Sequence, residues 1–468
     1  MSHARPNVLI LFTDDQRFDT LAALGNPAIR TPNMDALVAR GTTFTHAHIP
    51  CGTSGAVCMP SRAMLHTGKT LFHLKDAGSS IPDDHTLLGE HFRANGYHTF
   101  GTGKWHNGPE SYHRSFSSGA EIYLGGMADH WNMPASDYDP TGQYDNIKPT
   151  CPNPWFRNTI WPEHCDHITP GKHSSELLAD TAIDFLTEYD GDDPFLAYVS
   201  FLAPHDPRTM PEEFRLMYDP DAIDLPPNFM PVHPFDNGEL VMRDEALADT
   251  PRREPEIRRH IAEYYAMITH LDHEIGRVLA ALDAVGLTDD TLIVFAGDNG
   301  LAVGQHGLMG KQSCYEHSVR VPLVFAGPGV PQDVRRDSYV YLLDIFPTLC
   351  SLAGLGVPAS VEGEDFSAAI ASPDIPIRDT LFAAYCACQR MVKDRTHKLI
   401  EYVVEGEHTM TQLFDLDADP WELTNLADDP ALAETVARLR ADLCRWRDEW
   451  DDPASPWGET FWAACTLD

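Results

Sequence analysis

The sequence predicts an α/β fold: a large, mostly parallel β-sheet flanked by helices, and a smaller C-terminal α+β subdomain that contains a short antiparallel sheet. Three observations support this fold class. Short, fully apolar segments are typical of strands buried in a parallel sheet, and amphipathic helical patterns separate them. From about residue 378, short alternating segments replace both patterns. We therefore expect a main domain over residues 1–377 and a subdomain over residues 378–468.

Five apolar segments are the predicted strands of the main sheet, and we expect all five to be buried and parallel. They are NVLILFT (7–13), YHTFGTG (97–103), PFLAYVSFLAP (194–204), TLIVFAG (291–297) and VPLVFAGPG (321–329). Helical patterns lie between them, at 31–41, 174–186 and 256–285. In the subdomain, four short segments between residues 381 and 416 alternate like antiparallel strands, and a helix is expected over 431–446.

The segment CMPSRAMLHTG (58–68) predicts a further helix with an unusual start. Pro60 suits its first turn and Gly68 the position just past its end. Cys58 is therefore expected at the helix N-terminus, with Arg62 one turn later. The free amide groups, the helix dipole and the guanidinium all favour negative charge there, so the segment predicts an anion site that contains a cysteine.

The overall charge excludes one class of partner. The 468 residues are 43% hydrophobic and 22% charged, with a formal net charge of −36. Nucleic-acid backbones require a basic surface, so we expect no nucleic-acid partner. No apolar segment approaches the roughly 18 residues of a membrane span, and the N-terminal residues do not form a signal peptide. We expect a cytoplasmic protein with no membrane partner.

The ten cysteines are scattered along the chain and are expected to be free thiols. Cys151 and Cys165, with the nearby His164 and His167, could be drawn as a zinc site. Their spacing matches no common zinc pattern, so this interpretation is not favoured.

Acidic side chains follow two of the predicted strands. Asp14 and Asp15 come after the first strand, and Asp298 and Asn299 after the fourth. Ligands of parallel sheets bind beyond the carboxyl ends of the strands, so these groups are expected at one edge. Three carboxylates there would repel one another without a cation. Their oxygen atoms favour one hard divalent cation, Ca²⁺ or Mg²⁺.

Basic and imidazole side chains are expected at the same edge. Lys104 and His106 follow the second strand, His205 follows the third, and Lys311 lies in a glycine-rich segment after the acidic pair. Each alone has an ordinary explanation as a turn or surface residue. Their number at one predicted edge favours a functional site.

These motifs resemble the formylglycine-dependent sulfatases of the alkaline phosphatase superfamily. CMPSR with the following TG is similar to the family signature, in which a maturation enzyme oxidises the cysteine to formylglycine (3-oxoalanine). Further segments are similar to the other family motifs, in the family's order: LFTDDQR, GTGKWH, LAPHDP, FAGDNG, GLMGKQSCYEHSVRVPL and LFDLDADPWELTNLADDP. The resemblance implies a sulfuric ester hydrolase that releases inorganic sulfate from an organic sulfate monoester.

The resemblance also implies metal ligands. One divalent cation, Ca²⁺ in the first place and Mg²⁺ or Mn²⁺ as alternatives, would be held by four side chains, with the modified Cys58 supplying a further oxygen. The four are Asp14, Asp15, Asp298 and Asn299.

The remaining roles implied by the resemblance are catalytic. Arg62 would hold the formylglycine, Lys104 and Lys311 would bind sulfate, and His106 would contact the formylglycine hydroxyls. His205 would protonate the departing alcohol. In the implied mechanism a hydroxyl of the hydrated aldehyde attacks sulfur, and deprotonation of the other hydroxyl expels sulfate. His306 is expected near the pocket from its place in the sequence, with no role assigned to it.

Two other functions remain open. A phosphonate monoester or phosphodiester hydrolase of the same superfamily would use the same motifs. Sulfate and phosphoryl groups share a tetrahedral shape and differ by charge, so the motifs barely separate the two activities. A non-catalytic metal-binding scaffold would leave Cys58 a thiol, but it would not need the two lysines and two histidines together.

The alcohol part of the substrate is not identified by the sequence: aryl, choline and sugar sulfates fit a small anionic ester equally. Residues 125–134 and 151–167 are long aromatic-rich loops that we expect to wall the pocket. The alternative is that their aromatic side chains, Trp131 among them, pack the loops themselves. Trp105, between two site residues, is expected to contact the organic part.

Overall fold

The computed structural model describes residues 5–150, 160–373 and 375–467. Its strands, in chain order, are β1 (Asn7–Thr13), β2 (Gly41–Phe44), β3 (Ala47–His48), β4 (Cys51–Gly52), β5 (His98–Lys104), β6 (Ser118–Tyr123), β7 (Pro134–Ala135), β8 (Ile147–Thr150), β9 (Trp161–His164), β10 (His167–Ile168), β11 (Phe195–Ser200), β12 (Thr291–Gly297), β13 (Arg320–Val321), β14 (Leu323–Ala326), β15 (Val334–Arg336), β16 (Val340–Tyr341), β17 (Leu381–Tyr385), β18 (Gln389–Lys393), β19 (His397–Val404) and β20 (Glu407–Asp415).

The helices include all those that the sequence predicts. In chain order they are α1 (Pro32–Ala39), α2 (Cys58–Thr67), α3 (Leu88–Ala94), α4 (Pro109–Ser115), α5 (Ser174–Glu188), α6 (Glu212–Arg215), α7 (Glu254–Ala284), α8 (Glu316–Val319), α9 (Ile345–Leu352), α10 (Ser367–Ala371), α11 (Ala433–Glu449) and α12 (Pro456–Ala464). Among the described residues, no helix combines the length and apolar character needed to cross a membrane.

The predicted α/β fold with a large, mostly parallel sheet is confirmed. Within the described ranges this sheet has eight strands in the order β15-β2-β14-β12-β1-β11-β5-β6, and the five from β12 to β6 run parallel. Both faces are buried: in β1, Val8, Ile10 and Phe12 enter one hydrophobic cluster, and Leu9 and Leu11 enter the other. This explains why the strand is apolar at every position from Val8 to Phe12.

One strand prediction is wrong in direction. The fifth apolar segment forms β14, which pairs antiparallel with β12, with Ala296 opposite Leu323. A parallel return would need a long crossover, usually a helix. The connection after β12 holds the four-residue α8, the two-residue β13 and the loop that carries Lys311, but no long helix to bring the chain back in parallel, so it turns back along its neighbour.

A second sheet combines the C-terminal strands with a short strand from the N-terminal part. Its order is β20-β19-β18-β17-β4, with antiparallel pairs from β17 to β20 and a parallel pair between β17 and β4. β4 lies directly before the loop that leads into α2. The C-terminal sheet therefore supports the start of the helix that carries Cys58. The division of the chain after residue 377 stays a prediction.

Candidate active site

Four neighbouring parallel strands, β12, β1, β11 and β5, end side by side. Their register pairs Thr13 with Gly297, Phe12 with Ser200, and Ser200 with Gly103. The residues that follow these positions therefore enter the same space beyond the sheet edge. This register brings together the acidic, basic and imidazole groups that the sequence placed at strand ends.

The acidic residues form one buried cluster. The backbone N–H of Asp15 donates to Oδ1 of Asp298 at 2.9 Å, and the Asn299 amide donates to Oδ1 of Asp15 at 2.7 Å. Asp15 itself has a φ of 65°, a left-handed conformation that is uncommon for a residue with a side chain. Because the chain turns directly after β1, Asp14 and Asp15 occupy different positions in the acidic cluster.

Cys58 is the first residue of α2, as predicted, and Gly68 caps the helix with a φ of 64°. Its sulfur lies 3.4 Å from Nζ of Lys104 and 3.4 Å from Nδ1 of His106. Burial raises the pKa of the Cys58 thiol, and Lys104 only partly opposes this effect. An unmodified thiol would therefore be neutral and a poor nucleophile.

Arg62, one turn further along α2, is fully buried and organises the acidic cluster. Its Nε donates to Oδ2 of Asp298 at 3.0 Å and its Nη2 lies 2.9 Å from the same oxygen. Nη1 donates to Oγ of Ser200 and to the carbonyl oxygen of Lys104, at 2.6 and 2.9 Å. The contacts of the guanidinium thus fix a predicted metal ligand and two strand ends.

The two lysines reach the cluster from opposite sides. Nζ of Lys104 lies 2.5 Å from Oδ2 of Asp14, and Nζ of Lys311 lies 2.6 Å from Oδ1 of Asp15. Burial lowers the pKa of Lys311, but the negative charges around it, led by that of Asp15, together outweigh burial, and the pKa is well above its usual value. Lys311 is therefore a fixed positive charge.

The imidazoles differ in their surroundings. Burial, reinforced by Lys104, lowers the pKa of His106 well below its usual value, so its ring is neutral and able to accept a proton. His205 lies with Nε2 3.7 Å from Oδ2 of Asp15, and its Nδ1 is 2.8 Å from the backbone carbonyl oxygen of Asp206.

The carboxylates influence one another's charge. Burial and the neighbouring Asp14 raise the pKa of Asp298 to about 7. For Asp14, burial also acts upward, but the charges led by Lys104 outweigh it and hold the pKa below its usual value. Unequal titration of neighbouring buried carboxylates is the expected result of mutual repulsion.

The donor set fits a hard divalent cation. Oδ1 of Asp14 and Oδ1 of Asn299 are buried and have no hydrogen-bond partner among the described residues. One ligand atom from each of Asp14, Cys58 and Asp298 lies within 4.8 Å of the others. Buried polar atoms are normally paired, and carboxylate and amide oxygens suit Ca²⁺ or Mg²⁺.

A cavity of about 410 Å³ opens onto Cys58, His106, His205 and Lys311. The expectation for the 125–134 loop is met at Gly126 and Met127, which line this cavity. Trp131 does not line the cavity. Its ring packs against His173 with 5.2 Å between the ring centroids, so it has a packing role in the loop. Residues 151–159 of the second loop lie outside the described residues.

Two interpretations of single residues are wrong. Trp105 is only 1% exposed, and its Nε1 donates to the Gly108 carbonyl oxygen, so it cannot contact substrate. Side chains alternate along an extended chain, and Trp105 enters the core opposite its two neighbours. His306 is stacked on Tyr315 at 4.0 Å and does not line the cavity.

Arg243 and Asp244 line the cavity and were missed by the sequence analysis. Arg243 forms two hydrogen bonds to Asp206, of 2.5 and 3.0 Å. Asp244 accepts from the Gln312 amide at 2.7 Å, and that amide also donates to the carbonyl oxygen of Gly55. The short segment that carries both residues has no periodic pattern. The only related signal in the sequence was the distant His205-Asp206 pair, whose Asp206 contacts Arg243 in the folded chain.

The family model described as Sulfatase matches residues 6–355, and the model described as N-sulphoglucosamine sulphohydrolase, C-terminal, matches residues 304–449. The chain is 30% identical to an ulvan-active sulfatase of Formosa agariphila, over 95% of this chain and 82% of that protein. It is 29% identical to an arylsulfatase of Clostridium perfringens, over 94% of each.

Solved structures share the fold. A protein in complex with its substrate D-glucosamine-2-N,6-O-disulfate superposes with a TM-score of 0.73, at 22% identity over 96% of this chain and 98% of that one. The phosphonate monoester hydrolase of Agrobacterium radiobacter superposes with a TM-score of 0.70, at 24% identity over 95% and 96%.

Proposed function

The chain belongs to the sulfatase family of the alkaline phosphatase superfamily, and we propose that it hydrolyses organic sulfate monoesters with oxidised Cys58 as nucleophile and one divalent cation, Ca²⁺ in the first place. The observation that carries the proposal is the position of Cys58. Its sulfur lies at a buried helix N-terminus between Lys104 and His106, beside the acidic cluster. A thiol gains nothing from this environment, whereas a sulfate ester would be stabilised by it.

The cation would be held by the four strand-end ligands and by the oxygen that replaces the Cys58 sulfur. When bound, it supplies Lewis-acid polarisation of the sulfate and of the nucleophile. The ligands are Asp14, Asp15, Asp298 and Asn299. The oxidised side chain supplies, as a hydrated aldehyde, one hydroxyl that attacks sulfur and a second whose loss of a proton expels sulfate.

The fixed charges support binding of an ester with one negative charge. Three buried carboxylates face three buried cations, so the protein groups alone are balanced and a divalent cation makes the site positive. The cations are Arg62, Lys104 and Lys311. Lys104 and Lys311 bind the sulfate oxygens in this proposal, and Arg62 keeps Asp298 in place through its bonds of 2.9 and 3.0 Å.

The two imidazoles divide the proton transfers. His106, neutral because of its lowered pKa and 3.4 Å from the Cys58 sulfur, takes the proton that frees sulfate. His205, which also lines the cavity, gives a proton to the leaving oxygen. Without it an alcohol would have to leave as a bare alkoxide.

The test compares matched 4-nitrophenyl esters, namely the sulfate, a phosphodiester and a phosphonate monoester, in wild type and Cys58→Ala. We expect sulfate to be released fastest and the variant to lose nearly all turnover. Faster hydrolysis of the phosphonate or diester would instead assign the related hydrolase activity. Equal rates in wild type and variant would refute the role of Cys58.

A further inference from the structure

A second cleft adjoins the proposed active site. Its volume is about 660 Å³, and Ser54 and Gly55 line both this cleft and the cavity that contains Cys58. Both residues belong to the loop between β4 and α2. The cleft also reaches Met59, the residue after Cys58. A substrate that extends past this loop therefore enters the second cleft.

The walls of the second cleft are aromatic and come from distant parts of the chain. Phe72 lies after α2, and Trp457 lies in α12 with 38% of its surface exposed. The Arg390 guanidinium stands 5.4 Å from the Phe72 ring and is bonded to Asp452 at 2.6 and 2.8 Å. This fully buried pair joins the C-terminal sheet to the segment before α12 and so anchors the backbone that leads to Trp457.

The lining of the cleft is mixed, with apolar and polar surface in similar amounts and little charge. Of the described residues that line it, Asp76 alone is charged. Thr53 and Ser54 bring hydroxyls to its lining, whereas the Ser455 hydroxyl is bonded to Asp452 and Gly458 at the start of α12. Sugar rings present an apolar C–H face and a rim of hydroxyls, which match aromatic side chains and scattered polar groups. A carboxylate or a second sulfate would meet Asp76 and no compensating cation.

We propose that this cleft binds an uncharged sugar next to the sulfated one, so that the substrate is a sulfated oligosaccharide with a neutral neighbouring residue. The inference rests on the proposed function, because the sulfated unit must occupy the cavity at Cys58. It adds a substrate class that the catalytic residues alone do not specify.

The test uses sugar sulfates of increasing length, with 4-nitrophenyl sulfate as the reference ester. The panel contains 6-sulfated N-acetylglucosamine and 4-sulfated galactose, each alone and extended to a disaccharide by either a neutral sugar or a uronic acid. For at least one of them we expect the neutral extension to raise kcat/KM roughly tenfold, and the uronic acid extension to give no such gain. In Trp457→Ala the ratio of kcat/KM for the disaccharide to kcat/KM for the monosaccharide should fall roughly five- to tenfold. Trp457→Phe should keep most of the wild-type ratio.

Leu216→Ala is the control, because Leu216 is 68% exposed and lines neither cavity. Its ratio should equal that of the wild type. The proposal is overturned if no extension raises kcat/KM, if the charged extension is preferred, or if the gain persists in Trp457→Ala. If wild type releases sulfate from no ester, including 4-nitrophenyl sulfate, the proposed function fails as well.

Discussion

Arg243 allows a test of how the general acid is held in place. Its guanidinium binds both oxygens of Asp206, and Oδ1 of Asp206 lies 3.4 Å from Nδ1 of His205. Burial acts to raise the pKa of Asp206, but its bonds to Arg243 and the nearby positive charges together outweigh burial and hold the pKa below its usual value. Arg243→Ala would leave a largely buried carboxylate without its partner, directly beside the imidazole.

The expected effect on stability is moderate. Breaking a fully buried ion pair costs about 3–5 kcal/mol, but the Arg243 side chain is 45% exposed. Solvent screening reduces the loss of unfolding free energy to about 1–2 kcal/mol. The catalytic effect should depend on the leaving group. A general acid typically supplies a rate enhancement of roughly 10²–10⁴-fold, and a misplaced one supplies only part of it. We therefore expect about a tenfold lower kcat/KM for poor leaving groups.

The assay measures kcat/KM over a series of aryl sulfates whose phenols differ in acidity. Arg243→Ala should lose most activity with the least acidic phenols and little with 4-nitrophenyl sulfate. The kcat/KM values of Arg243→Lys should lie between those of Arg243→Ala and wild type. Arg253→Ala removes a 68%-exposed arginine whose partners, Asp249 and Glu256, do not line the cavity, and serves as control. An equal loss across the whole series would refute the reasoning, because Arg243 would then act on substrate binding or folding.

Three further predictions concern the cation, His106 and acid stability. Chelation of divalent cations should abolish turnover and added Ca²⁺ should restore it; persistent turnover would contradict the proposed ligands. Gly126→Ala would put a Cβ 2.6 Å from Nε2 of His106 and should lower kcat roughly tenfold or more, unlike Gly356→Ala, which meets no atom within 4 Å. Thermal melts should show stability falling as pH drops from about 6.5 towards 4, because the unfolded chain then binds protons that the folded chain excludes; a flat profile would contradict this. Burial lowers the pKa of the histidines responsible to between about 2 and about 4: His46, His48, His66, His130, His173, His260 and His306.

The strand ends could be predicted because local pattern and sheet chemistry agree there. β1 and β12 have the predicted bounds, since each is an apolar segment that stops at polar site residues, Asp14-Asp15 after β1 and Asp298-Asn299 after β12. Their neighbours in the sheet were not predictable from pattern alone. The direction of β14 depends on the length and content of the connection before it, which an apolar segment does not encode.

Side-chain direction was harder to predict than residue position. Trp105 lies between Lys104 and His106, so the two-residue period of an extended chain already favours the core for it. Arg243 gave no signal, because it follows an irregular segment and acquires its role only by meeting Asp206 from another part of the chain. Contacts between distant irregular segments are set by tertiary packing.

The central claim is that Cys58 acts after oxidation and not as a thiol. The most direct measurement is the mass of the peptide that contains Cys58, taken from protein purified from its native host, together with the sulfatase activity of the same samples. We predict an aldehyde in place of the thiol, in a fraction that rises in proportion to the specific activity. Full activity in a sample whose Cys58 is entirely unmodified would contradict the account.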